Sequence, residues 1–246
     1  MRKFVKVFSV VLFFSGIVFG KEALQISPTT FDFGWAPDNA KISAEFTLKN
    51  LTSDIVDLTA IQPTCGCTAT NFTPSKLSSN DSKKIILTFN TRGYAKTMFS
   101  KSTKVKSDED YEVVLKGHVT PSDAVIFPEG NGIVEFDLNS KKEQSVSIVN
   151  KSKNDATLEI VQEPAEWANV KLTSKTISDG KSVKFDISVS GDVNESKNTS
   201  FTVSAVEGTN VHYFTVAIRT GTPPPASRIL NNAPKPTSAP APDKKK

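Results

Sequence analysis

Residues 184–189 read Lys-Phe-Asp-Ile-Ser-Val, so that every second residue is apolar. Successive side chains of an extended chain point to opposite faces, and this alternation therefore predicts a β-strand with one buried face. No segment longer than a few residues has helical periodicity, and turn-forming clusters separate the strand-like runs. Similar alternation or short β-branched runs recur at residues 45–50, 84–89, 112–115, 145–149 and 214–218. Many short strands joined by turns predict an all-β protein built as an antiparallel sandwich.

An internal repeat divides the chain into two parts. Asn50 follows one alternating strand and Asn150 follows another, and the turn at residues 77–83 resembles the one at 177–183. This offset is the size of one immunoglobulin-like domain, which has about 100 residues. We therefore predict two tandem immunoglobulin-like sandwiches, at residues 21–120 and 121–221. Pro121 breaks a strand at the boundary.

The N-terminus has the pattern of a secretory signal. Arg2, Lys3 and Lys6 precede an apolar run over residues 7–19, and the polar chain starts at Lys21. This arrangement predicts a cleaved signal peptide over residues 1–20. The apolar run is shorter than the about 20 residues of a membrane-spanning helix. We therefore expect an exported protein, periplasmic or extracellular, that is soluble after cleavage and has no integral membrane segment.

The positive charge lies at the two ends of the chain. The formal net charge is +4, of which residues 1–20 contribute +3 and residues 222–246 contribute +4, so the segment between them carries −3. No basic stripe with interleaved aromatic residues crosses that segment, and we predict no nucleic-acid binding. Residues 222–246 are rich in proline, alanine and lysine, a composition that predicts a disordered, polyproline-like tail.

The two cysteines stand in the sequence Pro63-Thr64-Cys65-Gly66-Cys67-Thr68. Proline disfavours a central strand and glycine relaxes the backbone, so we expect the pair at a strand end or bulge on one edge of the sandwich. In a regular strand the Cα atoms of Cys65 and Cys67 would be about 6.5 Å apart. That is near the upper limit for a disulfide, so closure requires a bend at Gly66. The second repeat has Glu166-Trp167-Ala168 near the equivalent place, and only the first domain is predicted to carry the pair.

Three interpretations of Cys65 and Cys67 stay open from the residues alone. The pair forms a local disulfide, or two half-buried thiols, that fixes a strand end. Alternatively, two thiolates bind a soft metal; Cu(I) is satisfied by two sulfurs, whereas Zn(II) needs further ligands, for which the chain offers His118, His212, Met98 and scattered acids. Thirdly, a strained small ring takes part in thiol–disulfide exchange, although no Cys-X-X-Cys motif is present to lower a thiol pKa.

Five blocks of residues resemble a known bacterial family. They occur in order at residues 31–34, 46–50, 63–68, 89–94 and 115–119. Together they are similar to the family called domain of unknown function 1573, over roughly residues 31–119. The resemblance implies an exported domain with an immunoglobulin-like fold, and it implies no agreed activity.

These patterns favour a binding role over catalysis. The chain has no histidine with a nucleophile pattern, no phosphate-binding glycine loop and no calcium loop. We predict an exported, non-enzymatic binding or scaffolding protein of the cell envelope, whose partner is an envelope protein or a cell-wall component. The alternative is a Cu(I)-binding or thiol–disulfide redox factor acting through Cys65 and Cys67. Thiol–disulfide exchange is the one enzymatic activity considered, and no cofactor other than Cu(I) is expected.

Overall fold

A computed structural model describes residues 22–136 and 142–221. The predicted signal peptide and the C-terminal tail lie outside these ranges. The described residues form nineteen strands and no helix, which confirms the all-β sandwich prediction. The strands are β1 (Leu24–Ser27), β2 (Thr30–Ala36), β3 (Lys41–Asn50), β4 (Val56–Leu58), β5 (Ala60–Pro63), β6 (Thr68–Thr70), β7 (Ser75–Leu77), β8 (Ser82–Asn90), β9 (Met98–Lys106), β10 (Asp110–Val119), β11 (Ile126–Pro128), β12 (Ile133–Phe136), β13 (Glu143–Asn150), β14 (Ala156–Gln162), β15 (Ala168–Leu172), β16 (Thr176–Ile177), β17 (Ser182–Val189), β18 (Asn198–Glu207) and β19 (Asn210–Thr220).

The first sandwich is formed by the strands up to β10. One of its sheets has the order β1-β3-β8-β6, and the facing strands have the order β2-β10-β9-β5. The inward residues of β3 show the alternation clearly, because Ile42, Ala44, Phe46 and Leu48 are all fully buried. They pack in a core with residues of the facing sheet, such as Leu115.

The second sandwich repeats this arrangement. One sheet has the order β11-β13-β17-β15, and the facing strands have the order β12-β19-β18-β14-β16. In β17 the apolar residues of the alternating stretch, Phe185, Ile187 and Val189, are buried in a second core, as the period of two requires. Strands at matching places in the two halves have the same neighbours. The internal repeat therefore corresponds to a repeated topology.

The two sandwiches meet where β2 lies parallel to β19. Trp35 and Phe214 pair there, which joins the two facing sheets into one sheet of nine strands. The contact is very close at Gly34, whose φ is +57° and where an added Cβ would stand 1.9 Å from the carbonyl oxygen of Tyr213. The Thr215 hydroxyl donates a hydrogen bond of 2.9 Å to the carbonyl of residue 33. The junction is therefore packed like a protein interior.

The described residues contain no helix that is long and apolar enough to cross a membrane.

Candidate functional site

The cysteine pair lies in the loop between β5 and β6. β5 is the last strand of the nine-stranded sheet, and β6 is the last strand of the sheet that faces it. The loop therefore carries the chain from one sheet to the other at the edge of the first sandwich. Pro63 ends β5 and lies opposite Thr103 of β9. A proline is tolerated there because an edge strand uses only one side of its backbone for pairing.

Cys65 and Cys67 are joined by a disulfide, with their Cα atoms 5.2 Å apart. This separation is shorter than the about 6.5 Å of a regular strand, because the chain bends and turns over residues 65–67. Both cysteines are half-buried, and Cys67 packs against the first core. Gly66 is exposed, and an added Cβ there would meet no atom within 4 Å. The Cys65 Sγ lies 3.7 Å from the hydroxyl of Thr68.

Hydrogen bonds anchor the loop on both sheets. The backbone N–H and the hydroxyl of Thr64 both donate to the carbonyl of Ser102, at 3.1 and 2.8 Å. On the other side, the N–H of Asn90 donates to the carbonyl of Cys67 at 2.9 Å. The loop is thus held at both ends, which leaves Gly66 as its exposed tip.

The structure does not bring the other candidate metal ligands to the cysteine pair. No three His, Cys, Asp or Glu residues of the described ranges stand close enough together to hold a metal ion. Met98 and His118 face each other across β9 and β10, and together with His212 they line one hollow, whose lining includes neither cysteine. His212 also contacts Glu207 at 3.2 Å. Neither histidine therefore forms such a group with the cysteine pair.

Residues 163–167 form the equivalent loop of the second sandwich. The N–H of Ser190 donates to the carbonyl of Trp167 at 2.8 Å, as the N–H of Asn90 donates to the carbonyl of Cys67 at 2.9 Å. Trp167 therefore occupies the place that Cys67 has in the first sandwich. The tryptophan loop has no disulfide and instead lines a cleft between the sandwiches.

The interdomain cleft has a volume of about 1150 Å³. Its walls come from β3, β8 and residues 27–32 of the first sandwich, and from the tryptophan loop and parts of β14, β18 and β19 of the second. Ile86 and Val161 line it with side chains that are 40 and 43% exposed. No pattern in the sequence indicates this cleft, because its walls are brought together only by the packing of two sandwiches.

One backbone edge in the cleft is capped by side chains. β1 pairs only with residues 47–50 of β3, so within the described residues no strand pairs with the other half of that edge. There the N–H of Ser43 donates to the Ser200 hydroxyl and the N–H of Glu45 donates to the Gln162 Oε1, both at 2.9 Å. These two side chains of the second sandwich satisfy donors that an exposed edge would offer to another chain.

The cleft is acidic. Asp32, Glu45, Glu163 and Glu166 line it, and Lys84 is the cation among its lining residues, which gives these groups a net charge of −3. Lys84 Nζ lies 2.8 Å from Glu45 Oε1. The hydrogen bond and the negative charge of Glu45 raise the pKa of Lys84 above its usual value, so this lysine stays protonated.

Residues 24–119 match the family model described as protein of unknown function (DUF1573). No curated protein matches the chain.

Three solved structures are among those that match parts of this chain. A protein of unknown function from Porphyromonas gingivalis W83 is 12% identical, with 80% of this chain and 99% of that chain covered and a TM-score of 0.33. PapD-like domain 7 of human CEP192 is 13% identical, with 50% of this chain and 96% of that chain covered and a TM-score of 0.35. A chain of the CsuC–CsuE chaperone–tip adhesion subunit complex of Acinetobacter baumannii is 10% identical, with 79% of this chain and 97% of that chain covered and a TM-score of 0.34.

The family match agrees with the resemblance seen in the residues. That match includes the whole disulfide loop and every strand of the first sandwich. The match over residues 24–119 therefore confirms the predicted similarity of this segment to the family described as protein of unknown function (DUF1573).

Proposed function

We propose that this protein is an exported, non-enzymatic binding protein of the cell envelope, and that the interdomain cleft receives its partner. The observation that carries the proposal is the cleft, in which two apolar side chains stay exposed beside charged and hydrogen-bonding groups. Concave sites of this composition are typical of binding surfaces. An envelope protein and a cell-wall component are the two classes of partner that we expect.

The packing of the junction supports this proposal. The close contact at Gly34 and the hydrogen bonds of Ser200 and Gln162 to β3 hold the two sandwiches together. The walls of the cleft therefore have a defined spacing before any partner binds. A preformed site costs less ordering entropy on binding than one that must be assembled.

A site-specific cross-linker tests the cleft directly. A photoreactive residue replaces Val161 in the cleft or, as the matched control, Val206, which is exposed to a similar degree (40%) and does not line the cleft. The expected result in intact cells is a cross-linked envelope partner from position 161 and none from position 206. Equal cross-linking from the two positions, or none from position 161, contradicts the proposal. N-terminal sequencing of the cell-envelope fraction tests export, with Lys21 as the expected first residue.

Thiol–disulfide exchange is the second candidate function. The observation that favours it is a formed disulfide, with both cysteines half-buried, in a loop whose tip is exposed. A partner thiolate attacks one sulfur, the Cys65–Cys67 bond breaks, and the other cysteine leaves as a thiolate. A second thiol of the partner then resolves the mixed disulfide, so the partner is oxidised by two electrons and this chain is reduced by two.

The thiol state in cells separates these possibilities. Cells are quenched in acid, free thiols are alkylated under denaturing conditions, and the mass of the intact protein is measured. If neither cysteine is labelled before reduction, the pair forms a disulfide in cells. A glutathione titration then measures the reduction potential of this disulfide. A relatively oxidising potential supports thiol–disulfide exchange, and a strongly reducing one supports a structural bond. Two labels before reduction lead to a Cu(I) titration, with Cys65→Ser/Cys67→Ser as the control, since only the thiolates bind Cu(I).

A further inference from the structure

The C-terminal segment of this chain carries a charge opposite to that of the acidic cleft. The lining of the cleft carries a net charge of −3. Asp32 is also paired with Lys116, outside the lining, at 3.0 Å, so within the described residues Glu163 and Glu166 are the acids of the lining without an ion pair. The C-terminal segment 222–246 carries +4, because it has five basic residues and one acidic residue, Asp243. The basic residues are Arg228, Lys235, Lys244, Lys245 and Lys246. The cleft and this segment are therefore electrostatically complementary.

The walls of the cleft also suit the composition of this segment. Trp167 and Tyr213 line the cleft and are both half-buried, and Pro28 and Pro164 lie beside them in its lining. Seven of the 25 residues in segment 222–246 are prolines. Proline-rich sequences favour the polyproline II conformation, and they bind in grooves lined by aromatic side chains at a low entropic cost.

The segment starts close enough to reach the cleft. It follows Gly221, which lines a depression on the surface together with Ser196 and Asn198. Asn198 also lines the cleft, so the two hollows are adjacent. At about 3.1 Å per residue, 25 residues of extended chain span about 78 Å, whereas a small domain is about 30 Å across.

We propose that segment 222–246 binds in the interdomain cleft of its own chain and competes there with the partner. This inference rests on the proposed function, because it takes the cleft to be a binding surface. Because the segment is attached to the second sandwich, its effective concentration at the cleft is about 1 mM. A dissociation constant of about 0.1 mM for the free peptide then gives about ten chains with the segment bound for each chain with it free. The apparent affinity for the partner is then about tenfold lower in the full chain than in a chain that ends at Gly221.

The two tryptophans of the chain provide the measurement. Trp167 lies in the cleft, whereas Trp35 is buried in the second core. The indole N–H signals of ¹⁵N-labelled protein are compared between the chain that starts at Lys21 and the same chain ending at Gly221, which keeps every strand of both cores. The expected result is a shift of the Trp167 signal and an unchanged Trp35 signal. A synthetic peptide of residues 222–246 restores the Trp167 signal in the shortened chain, and a peptide with its lysines replaced by glutamine does not.

Charge variants identify the site. The difference in the Trp167 signal between the full and the shortened chain is measured again in the cleft variant Glu163→Lys/Glu166→Lys. The matched control is Glu143→Lys/Asp186→Lys, whose acidic residues lie on the surface of the other sheet of the second sandwich. The difference should vanish in the cleft variant and persist in the control. It should also vanish at 0.5 M NaCl, because salt screens exposed charges.

An identical Trp167 signal in the full and shortened chains overturns the inference, as does a difference that survives in the cleft variant. The proposed function is judged separately, by cross-linking from position 161. If that position captures a partner equally in the full and the shortened chain, the cleft binds a partner and the tail plays no part. If position 161 captures nothing in either chain, the proposed function fails as well.

Discussion

Asn50 and Asn150 lie 100 residues apart and make the same hydrogen bonds. Each side-chain amide donates to the carbonyl of the residue four positions later, at 2.7 Å. The Asn50 amide also donates to the carbonyl of Leu77 at 2.9 Å, and the Asn150 amide to the carbonyl of Ile177 at 3.1 Å. In both cases the Oδ1 accepts the N–H of the residue two positions later at 2.8 Å. Both side chains are fully buried. The same asparagine thus closes the same turn in both sandwiches.

Replacing either asparagine by alanine should destabilise its sandwich. The substitutions Asn50→Ala and Asn150→Ala each remove several hydrogen bonds and leave buried carbonyl and N–H groups without partners. A loss of about 2–4 kcal/mol in the free energy of unfolding is expected for each, because a buried unsatisfied polar group costs about 1–3 kcal/mol. Urea denaturation followed by circular dichroism measures the loss. The exposed Asn194→Ala is the control and should change stability by less than about 0.5 kcal/mol; an equal effect in all three variants would count against this role.

Removing the disulfide should leave the fold intact. The loop closed by Cys65 and Cys67 spans only three residues, and the chain-entropy relation gives such a small loop only about 1.6 kcal/mol of stabilisation. Cys65→Ser/Cys67→Ser and the reduced native protein should therefore unfold at similar urea concentrations, slightly below the oxidised protein. A loss above about 4 kcal/mol would instead show that the disulfide is a principal support of the first sandwich.

Gly34→Ala should disrupt the junction between the sandwiches. Its φ of +57° disfavours residues with a Cβ, and the new methyl would stand 1.9 Å from the carbonyl oxygen of Tyr213. A destabilisation of about 3 kcal/mol or more is expected, because the neighbouring atom belongs to the backbone and cannot rotate away. Small-angle scattering should show a larger radius of gyration, since the two sandwiches must separate.

Gly66→Ala is the matched control for this prediction. Gly66 has no atom within 4 Å of an added Cβ, and its φ lies outside the left-handed region. Its replacement should change the stability by less than about 1 kcal/mol. If Gly34→Ala were as stable and as compact as Gly66→Ala, the close contact with Tyr213 would be refuted.

Glu207 should make the stability of the second sandwich depend on pH. Its carboxylate accepts hydrogen bonds from the Asn154 amide and from His212, and chiefly the bond from Asn154 holds its pKa below the usual value of 4.5. Because the folded-state pKa lies below that of the unfolded chain, the stabilisation is complete above pH 4.5 and is lost as the pH falls through the folded value.

The variant Glu207→Gln tests this dependence. It should be less stable than the native protein at pH 6, and the difference should shrink as the pH is lowered below 4.5. Denaturation curves between pH 6 and pH 3 give the comparison, with the exposed Glu112→Gln as the control. A difference that stays constant across this range would exclude the Glu207 carboxylate as the titrating group.

The alternation of single segments predicted much of the fold. Phe185, Ile187 and Val189 are buried as the pattern 184–189 requires, and β17 covers that stretch. The offset of 100 residues at Asn50 and Asn150 corresponds to a repeated turn. Local patterns succeed here because the side-chain period of a strand is fixed by backbone geometry.

The same patterns failed at contacts between distant segments. The repeat placed Trp167 near the position equivalent to the cysteine pair, where the structure has it, but nothing in the sequence indicated that it lines a cleft. Likewise, nothing in the residues around Ser43 indicates that Ser200 caps its N–H, because 157 positions separate the two. Such pairings depend on how whole sheets pack, and no local period encodes them.

The sequence by itself determined the class of fold, the repeat and the one pair of cysteines, because each of these is written in spacing along the chain. The tertiary structure decided that Cys65 and Cys67 are bonded to each other between two edge strands. It also decided that an acidic cleft forms where β3 meets the second sandwich. The physical reason is that a cleft and its charge arise from side chains of strands far apart in sequence, which meet only when both apolar cores and their junction are packed.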